Sequence, residues 1–511
     1  MQMQKLVVTI MVIFITSLNA KSEIFNVKNF GAIGNGKTDD TKAIQKAIDA
    51  ASVIQESIIF FPKGTYLLTK YISTNNYLEN YFLRVHSNIT FRGEGAVSVI
   101  KIGDHLFDKK DTIANAHLFY GIGIKNLQFN NLMIDLNGAN NLVPEGSIKN
   151  HCAIFINHGN NIIIKQVAIK NASGTNMIII LGTGNNLLIE NNIFLNGGHN
   201  VGSSIENKYQ IDFSFVYCEW DSTKVINNLI KQENIDLALN SISGGIEIHG
   251  SNCYAAENTI IGCSPGLYIS SSWHPMENTT VEKNRFEQCA RGISFWVTHP
   301  MNNITIRDNN IELAYFRNWK SYTSNGIEMP NGNTNIYDSK HANGALVNNL
   351  VISNNIISAP ALKNNQDRTA AIIIHSVKKA TISNNVIKGM NFGGVIVQGS
   401  KWGSSNVSIE QNQFLDFVTN YDVISPAAYV VVFDSYILTD KNAPGIKNIS
   451  VKNNDFIRTK NQVYLPDDSN RKKGRFVGIF IALPDYMRKE VEIKNNQFTN
   501  NTENVEFQKT N

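Results

Sequence analysis

The 511-residue chain has no long run of basic residues, no C-x-x-C pair and, beyond its first residues, no long apolar segment. With a formal net charge of +4, the lack of a basic run argues against a nucleic-acid surface. The five cysteines are an odd number without metal-site spacing, so neither a disulfide framework nor a zinc site is indicated. The lack of a second apolar segment argues against a membrane span.

The one apolar run, from Leu6 to Ile15, follows a lysine and ends near a small residue, Ala20. This layout is typical of a secretory signal peptide over residues 1–20, because the run is too short to cross a bilayer comfortably. No cysteine follows the run, so a lipid anchor is not indicated. We therefore expect a secreted or periplasmic protein.

An asparagine recurs ten times from position 192 onward, each time one residue before a strand-like apolar pair. The ten positions are Asn192, Asn228, Asn258, Asn284, Asn309, Asn355, Asn385, Asn412, Asn454 and Asn496. The shortest steps match one coil of a β-solenoid, and longer steps add an inserted loop. No helical pattern fits between these asparagines.

Asparagine tolerates the left-handed conformation that a tight corner needs, and its amide can bond to the asparagine one coil above. The sequence therefore predicts an all-β parallel β-helix with a stacked asparagine ladder at one corner. The register continues upstream without asparagine, at Val167 and Leu132, which brings the total to about twelve coils. Cys263 and Cys289 fall at equivalent points of neighbouring coils and are predicted to be stacked core thiols rather than a disulfide.

The N-terminal residues 25–55 predict a cap for this solenoid. Asp39 and Asp40 precede a helix whose apolar positions lie on one face, namely Ala43, Ile44, Ala47, Ile48 and Ala51. A solenoid exposes strand edges at its ends, so we expect the helix to cover the first coil. We interpret the two aspartates as helix caps rather than catalytic carboxylates. Residues 57–68 continue as strand, turn and strand.

The pattern N-F-G-A-x-G-N-G-x-x-D-D-T-x-A-I-Q-x-A-I, from Asn29 to Ile48, is followed by IIFFPKGTY. Together they resemble the N-terminal cap of the pectate-lyase-like superfamily. The resemblance implies a right-handed parallel β-helix, here one domain over residues 21–511, and usually cleavage of polysaccharides by lyases or hydrolases. The superfamily also includes phage tailspikes and mannuronan epimerases, so membership does not fix a reaction.

Alternate residues of a β-helix strand point into the core and out to solvent. Aligning the strands predicts inward Ile246/Ile248, Leu267/Ile269, Ile293/Phe295 and Ile327/Met329. The outward positions between about residues 212 and 330 are polar or aromatic: Tyr217, Glu219, Glu247, His249, Tyr268, Ser270, Ser294, Trp296 and Glu328. Other coils place apolar residues outward: Phe155, Ile373, Ile396, Val432 and Phe480. Adjacent rungs are about 4.8 Å apart, so the polar group is predicted to converge on one site.

Loops add candidate binding residues around this group. The turns Trp273-His274-Pro275 and Thr298-His299-Pro300 leave successive rungs at matching points, which predicts that His274 lies near His299. A long loop insertion near 313–345 holds an aromatic and basic cluster. Aromatic faces stack on sugar rings, and cations pair with carboxylates or sulfates. The predicted substrate-binding residues are Glu219, Trp273, His274, Trp296, His299, Arg317, Trp319, Lys320 and Glu328.

Cleavage of a uronic-acid glycan by β-elimination needs a base, a group that neutralises the substrate carboxylate, and an acid for the leaving oxygen. His249 or Tyr268 is predicted as the base, and Tyr268 as the proton donor. Glu247 flanks them, and Arg291 is placed to meet the carboxylate. The sequence thus favours a polysaccharide lyase acting on an anionic glycan of the glycosaminoglycan, alginate or pectin type.

Other functions stay open. Glu247 with Glu219 or Glu328 would serve as the paired carboxylates of a glycoside hydrolase. The same three residues would supply oxygen ligands for a Ca²⁺ that neutralises the substrate; no other cofactor is expected. The R-x-P-x-x-R signature of pectate lyases and the marks of polygalacturonases are absent, which leaves the subfamily open. An epimerase or a non-catalytic glycan-binding β-helix is the remaining alternative.

Overall fold

The computed structural model describes most of the chain after its first residues. The described ranges are 22–73, 80–106, 116–141, 151–172, 176–197, 213–233, 243–314, 324–329, 346–359, 369–400, 402–417, 427–433, 445–459, 476–501 and 503–508. The predicted signal peptide lies outside them. Within these ranges there is one α-helix among 41 strands, and it is too short to cross a membrane.

The first elements run to the end of the thirteenth strand. They are β1 (Glu23–Asn26), β2 (Asn35–Asp39), α1 (Thr41–Ala51), β3 (Ser57–Phe60), β4 (Gly64–Leu68), β5 (Tyr81–Arg84), β6 (Ile89–Arg92), β7 (Ser98–Ile102), β8 (His117–Asn130), β9 (Met133–Asp135), β10 (Ile154–Lys165), β11 (Ala168–Lys170), β12 (Ile178–Glu190) and β13 (Ile193–Leu195). Short 3₁₀ turns occur at Val27–Phe30, Gly95–Val97, Gly138–Asn140 and, near the C-terminus, Asp485–Glu490.

The remaining strands follow a repeat of three per coil. They are β14 (Phe213–Cys218), β15 (Asp221–Ile226), β16 (Leu229–Lys231), β17 (Ser243–Ile248), β18 (Tyr254–Ala256), β19 (Thr259–Ile261), β20 (Leu267–Ser270), β21 (Met276–Glu282), β22 (Arg285–Cys289), β23 (Arg291–Trp296), β24 (Met301–Arg307), β25 (Asn310–Leu313), β26 (Ser324–Glu328), β27 (Val347–Ser353), β28 (Ile356–Ser358), β29 (Thr369–His375), β30 (Ala380–Ser383), β31 (Val386–Lys388), β32 (Gly393–Gln398), β33 (Ser404–Glu410), β34 (Gln413–Leu415), β35 (Ala427–Phe433), β36 (Ile446–Lys452), β37 (Asp455–Ile457), β38 (Phe476–Ala482), β39 (Val491–Lys494), β40 (Gln497–Thr499) and β41 (Glu503–Phe507).

Every pairing between these strands is parallel, and each strand pairs with its counterpart in the next coil, as β14 with β17 and β17 with β20. Three faces result. The first face contains β14, β17, β20, β23 and β26, the second contains β15, β18 and β21, and the third is a separate sheet of 15 short strands from β2 to β40. The predicted parallel β-solenoid is confirmed. The third face begins before Leu132, and the count of about twelve coils stays a prediction.

Helix α1 is present where the pattern predicted it. Its apolar side chains Ile44, Ala47 and Ile48 are fully buried in the core that the first coils share. The capping interpretation of the aspartates is only partly right. Asp40 occupies the N-cap position, but its carboxylate makes no cap bond and instead accepts the N–H groups of the preceding glycine turn, including Gly34 at 3.0 Å. Asp39 accepts the N–H of the first helical residue at 3.2 Å.

The asparagine ladder is continuous. From Asn192 to Asn454, each Nδ2 donates to the Oδ1 of the ladder asparagine in the next coil at 2.9–3.0 Å. The expected left-handed conformation is wrong for these asparagines. It belongs to the residue before each of them, with φ from 52° at Asn227 to 59° at Glu257. The preceding residue makes the corner, and the ladder asparagine directs its amide along the stack.

The alternation of inward and outward residues is confirmed for the middle coils. Ile246, Leu267, Ile293 and Ile327 are all fully buried. The assignment of Val432 as outward is wrong. In the register of β32 and β35, Ile396 aligns with Val431 while Val432 aligns with the interior Val397, and Val432 is fully buried. The valine run offers no polar residue to mark the phase, so the prediction slipped by one position.

Two further predictions concern the insertion and the cysteines. Strand β26 lies within the predicted insertion 313–345, so this segment returns to the first face and is not one uninterrupted loop. The rest of it, 315–323 and 330–345, lies outside the described residues. All five cysteines are free and buried, which agrees with Cys263 and Cys289 as core thiols.

Candidate functional site

A column of outward-facing residues runs along the middle of the first face. Tyr217 aligns with Glu247, Glu247 with Tyr268, Tyr268 with Ser294, and Ser294 with Glu328. The predicted alignment of these side chains is therefore present. The neighbouring rungs on either side carry the apolar residues Ile179 and Ile373 in the same column. The polar stretch is thus five rungs long between apolar ends.

A short contact in the column joins a histidine to a carboxylate. His249 Nε2 lies 2.7 Å from Glu247 Oε1, and each residue is only 2 % exposed. The second oxygen of Glu247 accepts the hydroxyl of Ser214 at 3.0 Å. A carboxylate accepts, so Nε2 carries a proton, and in the neutral ring the lone pair is then on Nδ1. Among the described residues, Nδ1 is buried without a hydrogen-bond partner.

Tyr217 connects this pair to the protein surface. Its ring lies against the His249 imidazole, with centroids 4.7 Å apart and an interplanar angle of 43°. Its hydroxyl donates to Glu219 Oε1 at 3.0 Å and accepts the indole N–H of Trp273 at 3.2 Å. Burial, together with the negative charges of Glu219 and Glu247, raises the pKa of Tyr217 far above its usual value. The phenol therefore keeps its proton at any working pH.

Glu328 forms a second, separate cluster at the far end of the column. Its Oε1 accepts from Ser294 at 2.9 Å and pairs with Arg291 Nε at 3.2 Å, and its Oε2 accepts from the Asn325 amide. Glu328 is 5 % exposed. The guanidinium of Arg291 is thus used in an ion pair at this end of the site. Arg291 lies on the rung that precedes the rung of Glu328.

The three carboxylates bind three different sets of donors. The oxygen of Glu219 that does not contact Tyr217 accepts the backbone N–H of Gly182 at 2.5 Å. All six oxygens of Glu219, Glu247 and Glu328 therefore have a donor from the protein. Within the described residues, no three or more His, Cys, Asp or Glu side chains are arranged to hold a metal. The Ca²⁺ site suggested from Glu219, Glu247 and Glu328 does not assemble here, because each carboxylate is directed to its own partners.

The other predicted binding residues lie around this column or outside the described structure. Trp296 aligns with Ser270 on the adjacent column and is partly exposed. His274 Nδ1 contacts the carbonyl of Pro275 at 3.0 Å, while His299 Nδ1 contacts the carbonyl of Ser271 at 2.8 Å. The proximity of the two histidines stays a prediction. Arg317, Trp319 and Lys320 lie outside the described residues.

Three residues of the site were not chosen as functional from the sequence. Tyr217 was assigned outward, but its place between Glu219 and His249 was not foreseen. Ser214 and Asn325 were not considered, because each reaches its carboxylate through the fold rather than through a motif. The signal for Tyr217 was available, since it occupies the same strand position as Glu247 and Tyr268 in neighbouring coils.

A second buried imidazole lies against the first face in an earlier coil. His117 Nδ1 is 2.9 Å from Cys152 Sγ, and its ring stacks on Phe155 with centroids 4.3 Å apart. Burial, and secondarily His151, lowers the pKa of His117 to about 3. Burial also raises the pKa of the Cys152 thiol well above its usual value. The pair is therefore a neutral imidazole beside a thiol, which is not a reactive arrangement.

A family model described as rhamnogalacturonase A/epimerase, pectate lyase-like, matches residues 24–215. The chain is 31% identical over 183 residues to plasmin and fibronectin-binding protein A of Streptococcus pneumoniae, which covers 33% of this chain and 24% of that protein. It is 34% identical over 157 residues to alginate lyase 7 of Azotobacter vinelandii, covering 29% and 17% of the two chains. The chain thus spans less than a quarter of the length of either relative.

Among solved structures, the chain is similar to a mutant tailspike protein of E. coli bacteriophage HK620 in complex with a pentasaccharide. The TM-score is 0.65 at 14% identity, over 92% of this chain and 78% of the tailspike. This likeness concerns the fold alone. The family match ends at residue 215, so it covers the first coils and Ser214 but not the polar column, which begins at Tyr217. Residues 24–215 thus match the pectate-lyase-like family model, and the chain shares the β-helix fold of the tailspike.

Proposed function

We propose that the chain is a polysaccharide lyase that cleaves a uronic-acid-containing glycan by β-elimination. One observation carries the proposal. Every carboxylate oxygen in the polar column has a protein donor, while His249 Nδ1 is buried and has no hydrogen-bond partner in the described part of the chain. The site therefore offers an oriented imidazole base, not an unengaged carboxylate.

In the proposed reaction, His249 Nδ1 removes the proton on the carbon next to the substrate carboxylate. The electron pair left behind forms a double bond to the neighbouring carbon, and the glycosidic oxygen there leaves with a proton from an acid. Glu247 holds the tautomer and stabilises the imidazolium that forms, as a carboxylate does for a catalytic histidine. His249 then gives the abstracted proton to solvent, and the acid takes up a proton from solvent to restore its starting form.

Two tyrosines are candidates for the acid. Tyr268 aligns directly with Glu247 and is partly exposed, and it keeps the donor role inferred from the sequence. Tyr217 contacts the imidazole but holds its proton strongly, so it is excluded as a base. Tyr217, a phenol between two carboxylates, suits a group that positions the histidine. We assign the base role to His249, because Glu247 orients its imidazole, and leave the acid role to Tyr268.

Arg291 is the proposed group for the substrate carboxylate. Its ion pair with Glu328 offsets part of its charge, so Arg291 acts here as a directional hydrogen-bond donor more than as an unpaired cation. The similarity to alginate lyase 7 supports a uronic-acid glycan as substrate, and the apolar run of residues 1–20 supports export. These remain parts of the proposal.

The test is absorbance at about 232 nm, where the unsaturated uronate left by elimination absorbs, while the purified protein meets pectate, alginate, hyaluronan, chondroitin, dermatan and heparan in turn. We expect a rise with at least one glycan, and no rise with the His249→Asn variant. New reducing ends without absorbance would replace the lyase by a hydrolase. A trace without either signal on the whole panel would contradict the proposal.

A glycoside hydrolase is the second candidate, and one observation favours it. Glu219 and Glu247 lie on adjacent rungs on either side of Tyr217, and both raise its pKa through their charge. Glu247 and Glu328 are three rungs apart, about 14 Å along the stack, which is too far for paired carboxylates that need about 5–9.5 Å. Glu219 with Glu247 is therefore the pair for a hydrolase. Glu219→Gln abolishes activity if the enzyme is a hydrolase and reduces it only modestly if it is a lyase.

A further inference from the structure

The reacting atoms of the polar column are closed off from solvent. Glu247 and His249 are each 2 % exposed, so a glycan reaches Nδ1 only after a neighbouring group moves. Tyr217 covers one side of the imidazole with its ring. Any group that controls the position of Tyr217 therefore also controls the position and access of His249.

Trp273 is such a group, and it is in contact with solvent. It is 65 % exposed, in the turn that follows β20, yet its indole N–H donates to the Tyr217 hydroxyl at 3.2 Å. The indole nitrogen is hydrogen-bonded to the buried cluster, and the rest of the ring remains available for contact with a ligand. A single exposed aromatic residue is not unusual, and what distinguishes Trp273 is its hydrogen bond to the buried cluster.

The chemistry of an exposed, oriented indole fits a sugar ring. The C–H faces of pyranoses pack on aromatic planes, and an indole fixed by its N–H loses little conformational freedom on binding. A hydrogen bond at the N–H edge leaves the face free, so stacking and the bond to Tyr217 can coexist. The same bond transmits any tilt of the indole to the Tyr217 hydroxyl and from there to Glu219 Oε1.

We propose that Trp273 binds a sugar ring of the glycan and couples its occupancy to the buried pair Glu247–His249 through Tyr217. This rests on the proposed action on a glycan and adds a binding residue that also positions the catalytic group. The path has three described contacts: the Trp273–Tyr217 hydrogen bond, the Tyr217–His249 ring contact and the His249–Glu247 hydrogen bond. Trp273 is a positioning residue in this scheme, since it does not touch the reacting atoms.

The test measures binding independently of chemistry. Isothermal titration calorimetry with hexasaccharides of alginate, pectate and hyaluronan gives Kd for the wild type and for W273A, W273F and Y217F. We expect W273A to raise Kd for the bound hexasaccharide about tenfold, because the stacking face is lost. The matched control is Y486A, which removes an equally exposed aromatic, 66 %, at the C-terminal end and is expected to leave Kd unchanged.

Coupling is tested by the double variant. W273F keeps an aromatic face but loses the N–H, and Y217F keeps the ring on His249 but loses the hydroxyl that receives it. Because both remove the same hydrogen bond, their effects on Kd and on kcat are expected not to add in W273F/Y217F. Additive effects, an unchanged Kd in W273A, or a wild type that binds none of the hexasaccharides would overturn the proposal.

The outcome also separates this inference from the proposed reaction. If the wild type gives no absorbance change with any glycan while W273A weakens binding and the double variant is non-additive, elimination is wrong and the role of Trp273 stands. If elimination occurs but W273A binds and turns over like the wild type, the role of Trp273 is wrong and the lyase stands.

Discussion

Two buried histidines on the same β-helix face differ in the partner of their bonded ring nitrogen. His249 Nε2 contacts the carboxylate of Glu247, whereas His117 Nδ1 contacts the thiol of Cys152 and its ring stacks on Phe155. Within the described residues the other nitrogen of each ring is buried without a hydrogen-bond partner. The comparison shows that two equally buried imidazoles can differ in the charge of their partner, which decides whether a protonated ring is stabilised.

The same contrast appears in the columns that surround them. His249 belongs to a stretch where every rung from Tyr217 to Glu328 carries a hydrogen-bonding group. His117 packs with Tyr120, Phe155 and Cys152 in an apolar cluster outside the barrel. One face therefore holds an apolar region and a polar, hydrogen-bonded region a few coils apart.

The largest expected effect comes from replacing His249 by a residue that cannot act as a base, compared with a replacement of His117. H249N is expected to lower kcat/KM by about 10³-fold, because general base catalysis is lost. The matched variant H117F, which keeps a ring on Phe155, is expected to stay within about threefold of the wild type. Initial rates at about 232 nm measure both. Nearly full activity in H249N would end the assignment of the base.

Removing the carboxylate partner is expected to have the next largest effect. E247Q keeps the shape of the side chain but loses the charge that stabilises the imidazolium, so kcat is expected to fall about 10²-fold with a smaller change in KM. The isosteric control E328Q, three rungs away, breaks the ion pair with Arg291 and is expected to change KM more than kcat. Equal losses of kcat in the two variants would contradict the special role of Glu247.

The pH dependence of the free energy of unfolding tests the other member of the comparison, His117. The pKa of His117 is lowered from its ordinary value of 6.5 to about 3 by burial. Between pH 6.5 and pH 3, the imidazole is protonated in the unfolded chain but not in the folded chain. The contribution of this residue to stability is therefore complete above pH 6.5 and falls as the pH drops toward 3. The free energy of unfolding is expected to fall by about 1.4 kcal/mol per pH unit from this residue.

The variant H117F removes that titration. Its unfolding free energy, from urea melts between pH 7 and pH 4, is expected to depend on pH less steeply than the wild type by about one proton. Measurement at pH 8, where the term vanishes, serves as the internal control for the cost of the substitution itself. Parallel pH profiles for the two proteins would show that His117 does not carry the effect.

The smallest effect is expected for the thiols. All five cysteines are buried, and burial raises the pKa of each of Cys152, Cys218, Cys253, Cys263 and Cys289. A thiol reagent is therefore expected to label none of them in the native protein and all five after unfolding. Fast labelling of one cysteine, identified by mass spectrometry, would indicate local opening at that coil.

The sequence predicted the parts of the molecule that repeat. The ladder from Asn192 to Asn496 and the inward residues follow from periodicity, because each coil meets the same constraint. Where a coil lacks polar residues that distinguish inward from outward positions, the assignment was wrong by one residue, as at Val432 in a run of valines. The left-handed conformation was predicted one residue too late. Asparagine favours both the left-handed corner and the ladder position, and motifs such as ENN do not show which of two neighbouring asparagines takes which place.

A second periodic signal was present and not used. Asparagines six residues before the ladder positions, such as Asn186, Asn278 and Asn303, also have positive φ, and several form an exposed ladder of their own. By contrast, the contacts of Tyr217 with Trp273 and His249 join three different segments of chain. Such contacts depend on side-chain conformations and turn geometry that no single-residue pattern records.

In the buried ladder, the separation of two asparagines along the chain is independent of their distance in space. Successive ladder asparagines are as few as 25 and as many as 46 residues apart along the chain, yet each makes the same hydrogen bond to the next. An insertion between two rungs therefore lengthens a loop without disturbing the stack. In evolutionary terms, the barrel can keep its polar column while the segments that leave the first face grow, shrink or are replaced. New binding preferences would then arise by changes of loop length on an unchanged stack.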